Sequence, residues 1–531
     1  MPIQISGKNV LGSQSSAEGG KTFRALNPQK NEQIEPAFHE ATEQEIDRAL
    51  ELADRAVPLL WQMPAAKISE FLMAVREEIL GLGNELLEKA SEESALPLNR
   101  LSGERDRTTN QLKMFADVVS EGSWVDARIE TALPERKPTP RPDLRRMMQP
   151  LGPVAVFGAS NFPLAFSVAG GDTASAFAAK NPVIVKAHPA HPGTSELVAT
   201  AVRRAVTRTG MPEGTFSMVH GFSPDVSLAL VRHPKTQAVG FTGSLRAGRA
   251  LFDAAARRPE PIPVYAEMGS LNPVFILPEA MKTRGEAIAE GLFQSVTAGL
   301  GQFCTCPGLV FGLGNEALES FREKLGPLFN DANPGTMLNS NIAKGYRERL
   351  ETVSKVSGVE SQLSAQQSSP DRTEAQPGAF FTDAQRYLAA HELHDEIFGP
   401  ATIVIRCQNR EEMMEAASKL EGSLTATIHG TPEELAKNSD LIDVLSRKAG
   451  RLIFNGFPTG VEVGNAMHHG GPWPATTDSK FTSVGVTAIY RFVRPVCYQS
   501  FPESLLPPEL QNGNPRNIWR TVNGQLTKDA I

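Results

Sequence analysis

The sequence predicts an α/β protein made of two doubly wound domains, each a parallel sheet with helices on both faces. Three observations carry that class. From Pro153 onward, short apolar segments alternate with helix-length amphipathic ones, the pattern of parallel strands joined by crossover helices. A second alternating run starts near Asn272. At 531 residues the chain is also too long for a single hydrophobic core.

Taken in order, residues 42–66 and 67–89 place apolar side chains at helical spacing, for example Ile46, Leu50, Ala53, Ala56 and Leu59. Thr42 with Glu45 three residues later has the form of a capping box. Residues 104–119 read as another helix. Between 131 and 150 the composition changes to five prolines interleaved with arginines, which suits neither a helix nor a central strand and predicts a projecting loop or ribbon. Strands are expected at 154–158, 183–186, 216–220, 238–241 and 263–267, and helices at 165–180, 195–208, 224–232 and 244–257. In the second run a helix is expected over 286–300, with strands at 401–406, 424–429 and 451–455. Residues 354–376 are Ser/Gln-rich and predict an exposed loop, and the tail after Tyr498 predicts a segment wrapped over the surface.

Composition narrows the function classes. A net charge of −7 and the lack of a Lys/Arg block argue against nucleic acid as a partner. Four cysteines make no disulfide framework, and the Cys304/Cys306 spacing is too tight for a standard zinc pair, so no metal site is expected. The first ten residues carry no signal-like apolar stretch, and no uninterrupted apolar run reaches about 18 residues, so neither export nor a membrane span is expected. The cytoplasm is the expected location.

Chemistry concentrates at a few junctions. Cys304 lies between a helix-like run and the apolar Leu309-Val310-Phe311, where backbone N–H groups can surround a thiol that attacks a carbonyl carbon. Glu267 closes an apolar strand, where burial should raise its pKa and suit it to general base work; a solvent-facing strand end is the alternative. Asn161, just beyond the first strand, offers an amide to a developing oxyanion, or simply an Asx turn before proline. Lys186 ends a strand beside His188, placed for ribose hydroxyls or a phosphate, or as a snorkelling surface lysine. Gly243 and Gly248 follow the fourth strand and permit a dinucleotide's close approach, or only a tight strand–helix turn.

Five motifs stand in the order found in aldehyde dehydrogenases, which the chain resembles over roughly residues 20–495. They are Asn161-Phe162-Pro163, Phe241-Thr242-Gly243-Ser244, Glu267-Met268-Gly269, Gly301-Gln302-Phe303-Cys304 and Glu396-Ile397-Phe398-Gly399-Pro400. The resemblance implies that Cys304 attacks an aldehyde to give a thiohemiacetal, whose oxyanion is held by Asn161 and the Cys304 N–H. Hydride then leaves to a nicotinamide, and Glu267 activates the water that hydrolyses the resulting thioester. Glu396 and Phe398 match positions that hold the nicotinamide side, Lys186 the adenosine ribose, and Ser244 the helix end that meets the pyrophosphate. The resemblance also implies a Rossmann-like cofactor domain (1–130 and 151–268), a catalytic domain (269–480), a small β extension for oligomerisation (131–150 and 481–500, with a strand over 484–493) and a tail (501–531). A homodimer or homotetramer is expected.

The departures are informative. NAD-preferring members usually carry a glutamate three residues after the lysine; Pro189 stands there, so NADP is expected, with NAD accepted as well. Ser270 replaces a usual glycine. Cys306 is either packing or a disulfide partner for Cys304. The Lys186-Ala187-His188-Pro189 and His469-Gly470-Gly471-Pro472-Trp473-Pro474 segments are similar to the branch that oxidises 2-oxoglutarate semialdehyde, which also holds long-chain aldehyde dehydrogenases. Arg107 and Phe162 lie where the family lines its substrate tunnel, and Arg107 is the candidate for a substrate carboxylate, or else a helix-surface arginine in a run of charges. A non-redox cysteine hydrolase or acyltransferase would explain Cys304 and Glu267 but leave the dinucleotide-like region idle; a catalytically retired binding protein would leave the whole set idle.

Overall fold

The computed structural model describes residues 3–369 and 372–531. Two seven-stranded sheets and a five-stranded sheet organise the chain. The first runs, in spatial order, Val264–Glu267, Ala238–Thr242, Val154–Phe157, Val183–Lys186, Phe216–Val219, Asn9–Leu11 and Gln14–Ser16. Its first five strands are parallel, in registers such as Phe157↔Lys186 and Phe241↔Phe157. From Val154–Phe157 the chain winds outward in one direction through Val183–Lys186 and Phe216–Val219, and later in the other through Ala238–Thr242 and Val264–Glu267. A crevice opens at such a reversal, at the carboxyl ends of the strands. The segments after Phe157 and Thr242, holding Asn161 and Ser244, start there.

The second sheet runs Glu360–Leu363, Gly378–Asp383, Ala401–Cys407, Leu309–Leu313, Val274–Ile276, Ser423–His429 and Ala449–Phe454, parallel throughout except for the first. Helices cover both faces of each sheet, which explains why strands such as Val154–Phe157 and Phe216–Val219 are buried at every position and show no alternation in sequence. The capping box forms as expected: the Thr42 hydroxyl accepts from Glu45 N and the Glu45 carboxylate accepts from Thr42 N, opening the helix Glu43–Gln62. No helix among the described residues is long and apolar enough to cross a membrane.

Several expectations are corrected. The helix placed at 165–180 is only Gly171–Ala178. The Leu164 and Ala165 N–H groups are instead taken by the buried Glu104 carboxylate at 2.8 and 3.0 Å, which holds residues 161–170 as a folded loop. The helix expected over 286–300 runs Pro278–Thr297 and gives way to Gly299, Leu300 and Gly301, all left-handed (φ +53°, +55° and +63°). Within 354–376 an edge strand, Glu360–Leu363, forms; Pro370 and Asp371 of that stretch lie outside the described residues.

The strand expected over 484–493 lies later. Val486–Phe492 is a 3-10 turn and the strand is Val493–Gln499, paired antiparallel with Leu144–Pro150. The ribbon is therefore a sheet. The tail does more than wrap: Arg520–Val522 and Gln525–Thr527 extend that sheet to five strands. The Arg520 side chain, 1% exposed, ties the tail together by donating to the carbonyls of Gln511, Asn512 and Asp529.

Candidate active site

Cys304 is delivered by the three left-handed residues that follow Pro278–Thr297. Leu300 occupies that region at a cost of about 1 kcal/mol, a conformation that persists only when the surroundings fix it. Gly301 has no alternative, since a Cβ there would lie 2.1 Å from Gly399 O. Asn272 then clamps the loop: its Nδ2 donates to Cys304 O (2.8 Å) and Cys306 O (3.0 Å), while its Oδ1 accepts from Ser270 Oγ and Thr425 Oγ1 (2.9 Å each). Ser270, in place of the glycine, thus joins the site to the second sheet, and its hydroxyl also accepts from Leu424 N. The Cys306 sulfur points into the core towards Val296 O and Gly399 O, whereas the Cys304 sulfur faces His469.

Glu267 arrives at the end of the edge strand Val264–Glu267. Residues 475–477 cross over that edge, with Met268 N donating to Ala475 O (2.8 Å) and Ala266 N to Thr477 Oγ1 (2.9 Å). This crossing carries His469 and Ser483 to the carboxylate. His469 Nε2 lies 3.4 Å from Cys304 Sγ and 3.0 Å from Glu267 Oε1, and the Ser483 hydroxyl donates to Glu267 Oε2. The approach to Oε1 is poorly angled for a hydrogen bond and leaves that buried oxygen without a donor. A buried ion pair from Arg491 to Asp172 (2.7 Å) pins the end of the crossing segment.

The electrostatics divide the pair. Burial pushes the Glu267 carboxyl up, but the adjoining His469 imidazole, the Ser483 hydroxyl and the Cys304 thiol together outweigh it, and the pKa ends below the ordinary value. The expectation of a raised Glu267 pKa is corrected on that account. Cys304 moves the other way: burial and then the Glu267 charge hold its thiol well above the usual range, opposed by Arg107. The two shifts favour a proton on sulfur beside a carboxylate that holds its charge.

Asn161 is buried beside this loop and its Nδ2 donates to Gln302 O at 3.1 Å, which leaves its second amide hydrogen free. The Cys304 N–H has no acceptor among the described residues. Arg100 clips the two loops together: its Nη2 donates to Asn161 O (2.9 Å), Nη1 packs on Gly299, and the guanidinium lies 4.8 Å from the Phe303 ring centroid and 5.4 Å from that of Phe162. Arg107, two turns along the same helix Leu98–Glu121, stacks over Phe162 and Phe166 at 5.7 and 5.4 Å. Glu104 lies between them, and its second carboxylate oxygen is buried and unpaired. The result is an apolar throat with two guanidinium groups above a thiol.

The dinucleotide candidates surround the crevice. Gly243 and Gly248 are both closely packed, since Cβ atoms there would meet Phe241 Cζ and Met268 Sδ at 2.6 Å each, so packing as well as a ligand accounts for their presence. The open surface is next to them: residues 243–247 are exposed, and Ser244 caps the helix Leu245–Ala256, whose first turn faces solvent with N–H groups available to an anion. Glu396 is pushed up to about 7 by burial, accepts only a long bond from Ser270 N (3.4 Å), and lies against Gly269, where a Cβ would stand 2.5 Å from Oε2. Phe398 follows it, half-buried. Lys186 is pushed down to about 8 by burial, with Glu40 opposing. The His188 ring stacks on His191 at 5.4 Å and accepts from Ala190 N. A free carboxyl acceptor at Glu396, a helix start with open N–H groups at Ser244 and a lysine at the carboxyl end of Val183–Lys186 are donors and acceptors that fit a dinucleotide.

Sequence reasoning missed His469, Asn272, Ser483, Arg100 and Glu40. Only His469 carried a signal, as the histidine opening a Gly-Gly turn. The others act through contacts between segments far apart in the chain.

The model of the aldehyde dehydrogenase family matches residues 15–473. The chain is 48% identical to alpha-ketoglutaric semialdehyde dehydrogenase 2 of Azospirillum brasilense, over 98% of this chain and 100% of that one. It is 45% identical to alpha-ketoglutaric semialdehyde dehydrogenase of Acinetobacter baylyi, over 99% of each. Its fold matches that of 1-pyrroline-5-carboxylate dehydrogenase from Thermus, solved with bound NAD, with a TM-score of 0.77, 20% identity and coverage of 93% and 92%. A thiol, a carboxylate and an amide assembled between two α/β sheets thus coincide with a match spanning most of the chain, and the protein belongs to the aldehyde dehydrogenase family.

Proposed function

We propose that the protein oxidises 2-oxoglutarate semialdehyde to 2-oxoglutarate, with NADP as its preferred hydride acceptor. The observation that carries the substrate is Arg107, stacked over Phe162 and Phe166 with its Nε buried and unpaired above Cys304. A guanidinium held in an apolar throat favours an aldehyde that bears a carboxylate over an uncharged chain. The names of the relatives at 48% and 45% identity support the same substrate.

The chain's residues divide the work. His469 Nε2 and Glu267 Oε1 stand where the Cys304 proton can leave as sulfur attacks the aldehyde carbon. The free Asn161 amide hydrogen and the Cys304 N–H receive the oxyanion, a contribution of about 3 kcal/mol per donor to the transition state. The nicotinamide, when bound, supplies the hydride acceptor. Glu267, kept ionised by His469 and Ser483, then takes a proton from the water that hydrolyses the thioester.

Lys186, His188, Gly243, Ser244, Gly248, Glu396 and Phe398 are the residues that would hold the dinucleotide. Pro189 leaves the lysine without the neighbouring carboxylate that would repel a 2′-phosphate. Glu40, the carboxylate closest in effect to Lys186, is occupied by Phe222 N, Ser223 N and Ser223 Oγ. The exposed strand Val493–Gln499 supports assembly into a homodimer or homotetramer, and the cytoplasm is the proposed location.

The test is to mix purified protein with NADP or NAD and 2-oxoglutarate semialdehyde, and to follow nicotinamide reduction. Faster turnover with NADP, and with the semialdehyde over a long-chain aldehyde, is expected. Preference for NAD overturns the cofactor reading, preference for the long-chain aldehyde overturns the substrate, and ester hydrolysis without reduction overturns both.

A further inference from the structure

The catalytic trio has a second property that the reaction does not use. Cys304 Sγ, His469 Nε2 and a Glu267 carboxylate oxygen all lie within 4.8 Å of one another, with Sγ to Nε2 at 3.4 Å and Nε2 to Oε1 at 3.0 Å. Tetrahedral zinc, with bonds of about 2.3 Å to thiolate and about 2.0 Å to imidazole and carboxylate, sets sulfur about 3.5 Å from nitrogen and nitrogen about 3.3 Å from oxygen. Both observed separations fall within about 0.3 Å of those tetrahedral edges. His469 thus already stands at zinc-like spacing from both other ligands, and the third edge, from Cys304 Sγ to the carboxylate, is within 4.8 Å.

Three further observations point the same way. Glu267 Oε1 is buried with no hydrogen-bond donor, an electron-rich oxygen 3.0 Å from His469 Nε2. The outer groups are already fixed, since Ser483 holds Oε2 and Asn272 holds the Cys304 carbonyl. Cys304 is partly buried rather than sealed, so an ion can reach its sulfur from solvent. Arg107 opposes a cation there, but a thiolate with a carboxylate supplies two negative charges to balance the dication. Cys306 is not a competing ligand, because its sulfur points to Val296 O and Gly399 O.

The geometry points to an inhibitory Zn(II) site formed by Cys304, His469 and Glu267. On binding, the Cys304 S–H bond breaks, the proton passes to solvent and an S–Zn bond forms, with no change of oxidation state. The sulfur pair that would attack the aldehyde is then committed to the metal, so zinc and aldehyde compete for one atom. A zinc pair was not legible in the sequence because the three ligands come from positions 267, 304 and 469. The inference is independent of which aldehyde the enzyme takes, and its failure would leave the proposed function standing.

The test titrates the reduced full-length protein with zinc alone by equilibrium dialysis, and with Co(II) by absorption. One zinc per protomer is expected at micromolar affinity or better, and Co(II) should give a thiolate charge-transfer band with the strong visible bands of a four-coordinate ion. Cys304→Ala should abolish the charge-transfer band. His469→Ala should weaken zinc at least about 100-fold, as loss of a direct ligand. Cys497→Ser, which removes the exposed thiol of the five-stranded sheet, should change neither. Zinc binding unaffected by Cys304→Ala and His469→Ala, or lost in Cys497→Ser, overturns the site. So does a weak six-coordinate cobalt spectrum in the unsubstituted enzyme, a result that needs no variant to fold.

Discussion

The loop that carries Cys304 and the turn that carries Ser244 both sit in the crevice between the sheets, yet they are built in opposite ways. Residues 299–306 are fixed from all sides: three left-handed residues, the Asn272 clamp, the Arg100 clip and a glycine pressed on Gly399 O leave one conformation. Residues 243–247 are exposed and held mainly by the cap and by the helix they start. A nucleophile must meet its oxyanion donors with sub-ångström accuracy. A cofactor must enter and leave, which a solvent-facing helix start permits. Rigidity is concentrated where bonds change.

This contrast can be broken by substitution. The largest effect is expected for Asn161→Ala, which removes one oxyanion donor and should lower kcat about 10²- to 10³-fold with little change in NADP binding. Preserved kcat would place the oxyanion elsewhere. His469→Ala should cost about 10²-fold in kcat/KM, a loss expected of a residue that shares a proton with the nucleophile. Asn272→Ala leaves the Cys304 and Cys306 carbonyls without their donor and should cost about 1–3 kcal/mol of stability as well as kcat, read by thermal unfolding alongside turnover.

Arg107→Ala should raise KM for the semialdehyde about tenfold or more while sparing an uncharged aldehyde of the same length. It also carries a pH signature. The thiol is active as thiolate, so the rate rises with pH; Arg107 pulls the thiol pKa down, so its removal should shift the rise in kcat/KM to higher pH. An unmoved limb would separate Arg107 from the nucleophile. The smallest effect belongs to the open side: Ser244→Ala removes a cap bond to Ala247 N, costs about 1 kcal/mol at most locally, and should raise KM for NADP a few-fold with kcat unchanged.

The sequence displayed the sheets because strands buried on both faces read as apolar runs, and it displayed Cys304, Glu267 and Asn161 because each lies at a strand or helix end within a local motif. It did not display what comes from elsewhere in the chain. The helix at 165–180 shortened because Glu104, some 60 residues earlier, captures Leu164 N and Ala165 N. The Glu267 pKa fell rather than rose because His469 and Ser483 arrive on a crossing segment that no local pattern announces. The tail joined a sheet because Arg520 finds three carbonyls of its own segment, a closure visible only in three dimensions.

The central claim is that Cys304, positioned by this rigid loop, forms the acyl intermediate that Glu267 later releases. It is tested most directly in Glu267→Gln mixed with NADP and 2-oxoglutarate semialdehyde, with reduced nicotinamide and intact-protein mass followed together. One reduced nicotinamide per protomer, with a 2-oxoglutaryl thioester persisting on Cys304, is the expected result. Reduction without an adduct at Cys304, or an adduct on another residue, would contradict it.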